Sequence, residues 1–417
     1  MPKINVLDLF VGMGAMKVAA KNMSNLNIDF IFKPENSYEI KSAAIKQLKY
    51  IFNEDYQKKD INEFEFNKNQ KFDLLLAGFP CQPFSKAGLQ RGFEDNRGNF
   101  IFKIIEILKF YKPRFFLLEN VDNLINHNNK ESFNLILDEL KKLNYNVDYA
   151  VLNAKDFRLP QNRKRLFIIG DNKKNIKIPS HINYHHKFNT ILENNCTDKK
   201  LYNLEFTKKV YNYFNDLHYL EGKYLNDKRG GDNNIHSWDI DLFCKTTPLE
   251  KNILNYILKE RRKKQYSQEL GIEHKDGNPL TIQQIQRGFL NINNLQEIID
   301  GLVIKKYLNK REIKNGLYGY SILTGRLSFP FSYFINSNSF CNTLTATEAH
   351  KFCVVDNNKL RKLSRRELLK LFGFPYDYSF SPLLKENEIF DLIGNTIAIP
   401  VLEFLINIIK ENIKDNI

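Results

Sequence analysis

Cysteine is scarce and scattered: five residues, Cys81, Cys196, Cys244, Cys341 and Cys353, in a chain of 417. No two form a C-x-x-C pair, so zinc-ligand spacing is absent, and a disulfide framework is not expected in a chain this long. No apolar run approaches the ~20 residues that a membrane-spanning helix needs. The opening Met1-Pro2-Lys3 runs straight into a strand-like segment, without a signal-peptide pattern. No internal repeat is apparent, and tryptophan occurs once, at Trp238. These absences lead us to expect a reducing, cytoplasmic setting without a membrane, in which a thiol stays available.

Positive charge is in excess. Lys plus Arg number 62 against 48 Asp plus Glu, a net charge of +14, which favours a polyanionic partner. Hydrophobic residues at 42% and charged residues at 26% are the proportions of an ordinary globular protein. The length suffices for two domains. Up to about Gly170, strand-like and helix-like segments alternate. Strands are expected at Ile4 to Phe10, Ile28 to Phe32, Phe72 to Ala77, Arg114 to Leu118 and Leu166 to Gly170. Helices are expected at Ala15 to Met23, Tyr38 to Phe52, Asn99 to Tyr111 and Glu131 to Leu143. Such alternation implies an α/β fold, a parallel sheet with helices on both faces.

Farther on the texture changes. Basic groups cluster at Lys228-Arg229-Gly230-Gly231, Arg261-Arg262-Lys263-Lys264 and Lys310-Arg311. A smaller, irregular, basic domain is therefore expected over residues 176–390. The α/β domain would span 1–175 and be completed by a returning helix within 391–417. Helices are expected at Arg365 to Phe372 and across Asn395 to Ile409.

Four segments carry candidate chemistry. In Gly78-Phe79-Pro80-Cys81-Gln82-Pro83-Phe84-Ser85, a short apolar strand ends in breakers that present one thiol. The carboxyl end of such a strand is where open α/β sheets bind ligands. A cysteine that merely fills space is the alternative, though Pro80 and Gln82 are unusual neighbours for a core position. In Asp8-Leu9-Phe10-Val11-Gly12-Met13-Gly14, two glycines permit a tight turn and close approach to a ligand. Lys17 occupies the place of the third glycine of a dinucleotide fingerprint, so this is not one. Glu39, after the second strand, is placed to accept hydrogen bonds from a ribose diol, with Glu35 as a rival.

Leu117-Leu118-Glu119-Asn120-Val121 puts a carboxylate after another apolar strand, facing the crevice of Cys81. An apolar wall raises a carboxyl pKa and makes Glu119 a proton-donor candidate; a helix cap or surface turn is the alternative. In Gln161-Asn162-Arg163-Lys164-Arg165, strand periodicity sends Arg163 and Arg165 to the same side. Paired guanidiniums suit a phosphate or a ring carbonyl and lower the pKa of a nearby thiol, whereas a surface charge run is the alternative. The glycine-hinged, basic stretch with Lys86, Gly88, Arg91, Gly92, Arg97 and Gly98 suits a loop that closes over a ligand.

Taken in order, these segments resemble the DNA cytosine-5 methyltransferase family of bacterial restriction-modification systems. DLFVGMG is similar to the family's first motif, GFPCQPFSKAG to its Pro-Cys-Gln motif, LLENV to its Glu-Asn-Val motif and QNRKRLFIIG to its Gln-x-Arg-x-Arg motif. Asn342 to Ala346 and Arg366 to Pro375 resemble the motif that supports a target-recognition domain, and Gly394 to Val401 the last motif. Val11 and Ala15 depart from the family's usual Ala and Gly. The resemblance implies a Rossmann-like S-adenosylmethionine-dependent domain plus a target-recognition domain. It further implies cofactor contacts from Phe10, Gly12, Gly14, Glu39, Asp60, Ile61, Gly78, Pro80 and Asn395, with S-adenosylhomocysteine as product and no metal.

The implied reaction adds Cys81 to carbon 6 of a cytosine while Glu119 assists protonation at ring nitrogen 3, so that carbon 5 becomes nucleophilic. Arg165 would contact the cytosine carbonyl and Arg163 would order the thiol loop. The base must be flipped out of double-stranded DNA to be reached. DNA contacts are expected from Gln82, Ser85, Lys86 and Arg97, and from Arg229, Arg261 and Arg262 of the basic domain. The expected partners are duplex DNA and a cognate restriction endonuclease that forms no stable complex, for a monomer acting in the bacterial cytoplasm. A tRNA cytosine-5 methyltransferase and an inactive DNA-binding homologue are the rival readings.

Overall fold

The computed structural model describes residues 2–23, 28–80, 100–180, 184–193, 196–275, 277–323 and 329–414. Cys81, Gln82, Ser85, Lys86 and Arg97 lie outside the described residues. The chain divides into two compact units: Met1–Glu193 with Ser337–Ala349 and Ser364–Ile417, and Asn194–Asn336 with His350–Leu363.

In the first unit the strands up to Asp171 are β1 (Lys3–Leu9), β2 (Asp29–Tyr38), β3 (Leu74–Gly78), β4 (Phe115–Val121), β5 (Asn146–Asn153), β6 (Gln161–Asn162) and β7 (Lys164–Asp171). Six of them make one sheet in the order β2-β1-β3-β4-β7-β5. β2, β1, β3 and β4 run parallel, and β7 is antiparallel to both β4 and β5. Helices α1 (Ala15–Asn22), α2 (Ser42–Phe52), α3 (Phe100–Tyr111) and α4 (Glu131–Lys142) lie between the strands in sequence.

Alternating strand residues show why the sheet is covered on both sides. Leu75, Ala77, Phe116, Leu118 and Ile168 share one core with Ile101, Ile104 and Ile105 of α3 and Phe133 and Ile136 of α4. Their neighbours Leu74, Leu76, Phe115, Leu117 and Ile169 are just as buried, on the opposite face. Unbroken apolar strands such as LLLA are stable only in that position. The architecture is thus the expected mixed, mostly parallel α/β one. β5 is the strand that the sequence reading lacked: Asn146 and Asp148 interrupt its apolar pattern, and pairing with β7 supplies what composition does not.

The expected domain limits need correction. Residues 176–193, 337–349 and 364–390 pack with the α/β unit, not with the basic one. Backbone bonding explains it. Phe188 N donates to Ser339 O and Asn189 N to Ser337 O. Cys341–Asn342 pairs in parallel with β6, and Glu193 N donates to Glu367 of the helix Arg365–Leu371. Gln47 of α2 is bonded to Ser379 O and Ser381 N. The last helix, Ile399–Lys414, packs on α1.

Among the described residues, the second unit has two cores. One gathers Trp238, Ile253, Leu254, Ile257, Leu280 and Ile299. The other gathers Phe206, Val210, Leu225, Ile235, Phe331 and Phe334 around a five-stranded sheet of short strands. Among the described residues no single helix is long and apolar enough to cross a membrane. The bent pair Glu386–Gly394 and Ile399–Ile413 qualifies only jointly, and its Ile389, Leu392, Leu402, Leu405 and Ile409 are buried in the protein.

Candidate active site

β1 ends in a turn that its sequence requires. Phe10, Gly12 and Gly14 have φ of 59°, 58° and 76°, the left-handed region that glycine enters without strain. At Gly14 an added Cβ would also lie 2.5 Å from Phe52 Cε2 of α2, whereas at Gly12 it would meet only Phe10 O, at 3.9 Å. Gly14 therefore serves packing, while Gly12 leaves room above the backbone. Phe10 N and Val11 N both donate to Tyr38 O, the last residue of β2. Glu39 is buried and closes the turn: its Oε2 accepts from Gly12 N at 2.8 Å and its Oε1 from Lys41 N at 2.7 Å. The rival Glu35 is exposed. Lys59 N donates to Glu39 O at 2.9 Å, which brings Asp60 and Ile61 to the same strand ends. Asp60 caps a short 3-10 turn by accepting from Asn62 N, and Ile61 is buried.

The next strand ends hold the acid. Gly78 of β3 is paired with Glu119 of β4. A Cβ there would lie 3.3 Å from Ile397 Cδ1 and 3.5 Å from Glu119 Oε2. Glu119 is 9% exposed. Burial pushes its carboxyl up, opposed by Arg165 and then Arg163. Arg165 Nε lies 3.1 Å from Glu119 Oε1. Asn120, quoted in the motif but given no role, donates from Nδ2 to Phe79 O at 2.9 Å, so it anchors the chain two residues before Cys81. Its signal is a buried amide at a strand end. Pro80 is exposed.

Arg163 behaves otherwise than periodicity implied. Its Nη1 donates to Leu344 O at 3.0 Å and its Nη2 to Gly394 O and Thr396 O at 3.1 and 2.8 Å. The guanidinium also faces the Phe372 ring. Burial, then Arg165, lowers its pKa to about 9, against Glu119. It is a buried clasp on the returning chain, not the partner of Arg165 in a crevice. Asn395 is exposed and donates to Asp391.

In the second unit Arg229 is exposed, Arg261 is 5% exposed, and Arg261 and Arg262 both donate to Lys228 O. Burial removes Arg261 from the expected DNA contacts. No group of three metal-ligating side chains occurs among the described residues.

The first-unit residues fit an adenosyl cofactor: open space at Gly12, apolar Phe10 and Ile61 for a purine, the Asp60 carboxylate for the adenine and that of Glu39 for ribose hydroxyl groups. The family profile of C-5 cytosine-specific DNA methylases matches residues 4–411. Type II methyltransferase M.NlaIV of Neisseria lactamica is 39% identical over 424 residues, covering 97% of this chain and 98% of that protein. Type II methyltransferase M.BanI of Aneurinibacillus aneurinilyticus is 35% identical over 437 residues, covering 98% and 96%. The solved structure of Entamoeba histolytica methyltransferase EhMeth has the same fold, with a TM-score of 0.52, 15% identity and 99% of each chain covered. With a profile match across nearly its whole length, the chain belongs to the C-5 cytosine-specific DNA methylases.

Proposed function

We propose that Cys81 is the nucleophile of this methyl transfer and that Glu119, held by Arg165, manages the proton at cytosine nitrogen 3. The family reaction moves a methyl group from S-adenosylmethionine to carbon 5 of a cytosine in DNA. The cofactor supplies a methyl on a cationic sulfur, an electrophile that carbon 5 cannot attack unaided. Addition of the Cys81 thiolate to carbon 6, with a hydrogen bond from the Glu119 carboxyl to nitrogen 3, makes carbon 5 electron-rich. Once carbon 5 has taken the methyl group and S-adenosylhomocysteine is left behind, loss of the carbon 5 proton expels Cys81 and restores the aromatic ring. Arg165, mostly buried beside Glu119 with its Nη1 on Lys164 O, meets the ring carbonyl as well.

The observation that carries this reading is the buried Glu119–Arg165 pair beside Gly78, with Asn120 holding Phe79 O just ahead of the thiol. Phe10, Gly12, Gly14, Glu39, Asp60, Ile61, Gly78, Pro80 and Asn395 hold the cofactor, without a metal. Gln82, Ser85, Lys86 and Arg97 meet the DNA beside the thiol, and the second unit, Asn194–Asn336 with His350–Leu363, supplies target recognition. One site per chain suits a monomer in a bacterial cytoplasm, paired with a cognate endonuclease that cuts unmethylated DNA.

DNA containing 5-fluorocytosine tests the reading, because fluorine cannot leave as a proton does. The enzyme is expected to stay covalently bound in the presence of cofactor. A Cys81→Ser variant should bind the same DNA without an adduct or turnover. Label transferred only to tRNA would overturn the DNA assignment.

A further inference from the structure

In the second unit the short strands Tyr224–Leu225 and Asn234–Ile235, paired in parallel, flank an exposed turn, Lys228 to Asn233. The turn is fastened at both ends. Asn226 Oδ1 accepts from Lys228 N and Arg229 N, each at 3.0 Å, and Asn226 Nδ2 donates to Asn234 Oδ1 at 2.6 Å. Asn234 Nδ2 donates to Gly230 O at 3.0 Å, and Asn234 N to Gly231 O at 2.9 Å. Past the end of the helix Pro248–Glu260, Arg261 and Arg262 each donate from Nη2 to Lys228 O, at 2.9 and 2.6 Å. His236 Nδ1 lies 2.7 Å from Asn226 O, and its ring stacks on buried Trp238.

Two features of this turn have no explanation inside the molecule. Gly231, with φ of 115°, needs to be glycine for its backbone alone. Gly230 does not: its φ is not positive, and an added Cβ would meet only Leu258 Cδ2, at an ordinary 4.0 Å. The bare backbone there leaves open space that an outside partner can approach closely. Among the described residues the Arg229 guanidinium, displayed next to that glycine, has no side-chain partner.

We propose that this turn enters the major groove and that Arg229 reads a guanine of the recognition sequence, Gly230 allowing the backbone to approach the base edges. The inference rests on the reading that the second unit recognises DNA. The planar fork of arginine matches guanine O6 and N7, the commonest specific contact in that groove. A contact to phosphate would help orient the protein on the duplex but would carry no sequence information. Arg261, whose guanidinium is buried, is then a positioning residue of the turn.

The full-length enzyme is compared with its Arg229→Ala, Arg229→Lys, Gly230→Val and Arg261→Lys variants. Bisulfite sequencing of methylated plasmid DNA reads selectivity, and salt titration reads phosphate contacts. Both Arg229 variants should lose discrimination at one guanine-bearing base pair, by about tenfold to a hundredfold. The lysine variant should keep the wild-type salt slope. Gly230→Val and Arg261→Lys should relax the same position, again with an unchanged slope. A uniform loss of affinity for all DNA with a shallower slope in Arg229→Ala would make Arg229 a phosphate contact and overturn the proposal, as would selectivity unchanged in every variant. A wild-type enzyme that methylates no DNA would instead remove the underlying reading.

Discussion

Arg165 Nε stands 3.1 Å from Glu119 Oε1, across the antiparallel neighbours β7 and β4. The arginine works against burial: desolvation raises the Glu119 carboxyl while the guanidinium lowers it. Removing Arg165 therefore raises that pKa further. In an Arg165→Ala variant the alkaline limb of kcat should move to higher pH, on top of an overall loss of rate. Glu119→Gln should lower kcat by about 10²–10⁴ with cofactor affinity nearly unchanged. A limb that stays put would separate Glu119 from the proton transfer.

Arg163 satisfies three buried carbonyls, at Leu344, Gly394 and Thr396. Each carbonyl stripped of its donor costs about 1–3 kcal/mol, so Arg163→Met should destabilise the enzyme by about 3 kcal/mol or more in urea unfolding. Arg163→Lys keeps a charge but not the fork, and should recover only part.

Two glycines separate side-chain from backbone crowding. An added Cβ at Gly14 meets the Phe52 ring at 2.5 Å; one at Gly394 meets Ala346 N at 2.2 Å. Gly14→Ala should lose about 1–3 kcal/mol, and adding Phe52→Leu should restore some of it, the strain of a positive φ remaining. No side-chain trimming should rescue Gly394→Ala. A double-mutant cycle with unfolding midpoints measures both.

Asp8, inside β1, is buried, and desolvation lifts its pKa from 3.8 to about 8; Lys17 opposes the lift and Glu39 adds to it. Between those values the unfolded chain has lost a proton that the folded chain keeps. Stability from this group is therefore full below pH ~4, falls as pH rises toward 8 and is level above. Asp8→Asn removes that slope. Its melting temperature should gain on the wild type steadily from pH 5 to 8, and a constant difference would contradict the assignment.

Basic clusters of the second unit should make DNA binding steeply salt-dependent. From about 50 to about 200 mM salt, affinity should fall by roughly two orders of magnitude or more if several phosphates are neutralised. A flat response in a filter-binding titration would make those clusters bystanders.

Much of the catalytic architecture is readable in one dimension. Phe72 to Ala77 declares a covered strand because every residue but Asp73 is apolar, and the glycine and prolines after it stop the strand where a ligand crevice begins. Asp8 to Gly14 declares a turn because its two glycines enter the left-handed backbone region without strain. β5 escaped that reading, since polar residues mask its alternation until β7 is beside it. The limits of the basic domain escaped it too, because the chain leaves the α/β unit and returns through short bonded segments that composition does not mark.

Local rules of backbone freedom and hydrophobic burial thus settled, from the order of residues alone, where strands stop and which reactive types stand at their ends. Which partner each polar group serves was decided only by folding. Glu39 closes on Gly12, Arg163 clasps Gly394 and Thr396, and Arg261 turns inward to Lys228. The physical reason is distance along the chain: hydrogen bonds and desolvation join atoms that sequence keeps far apart, and charge type does not say which cation ends up buried.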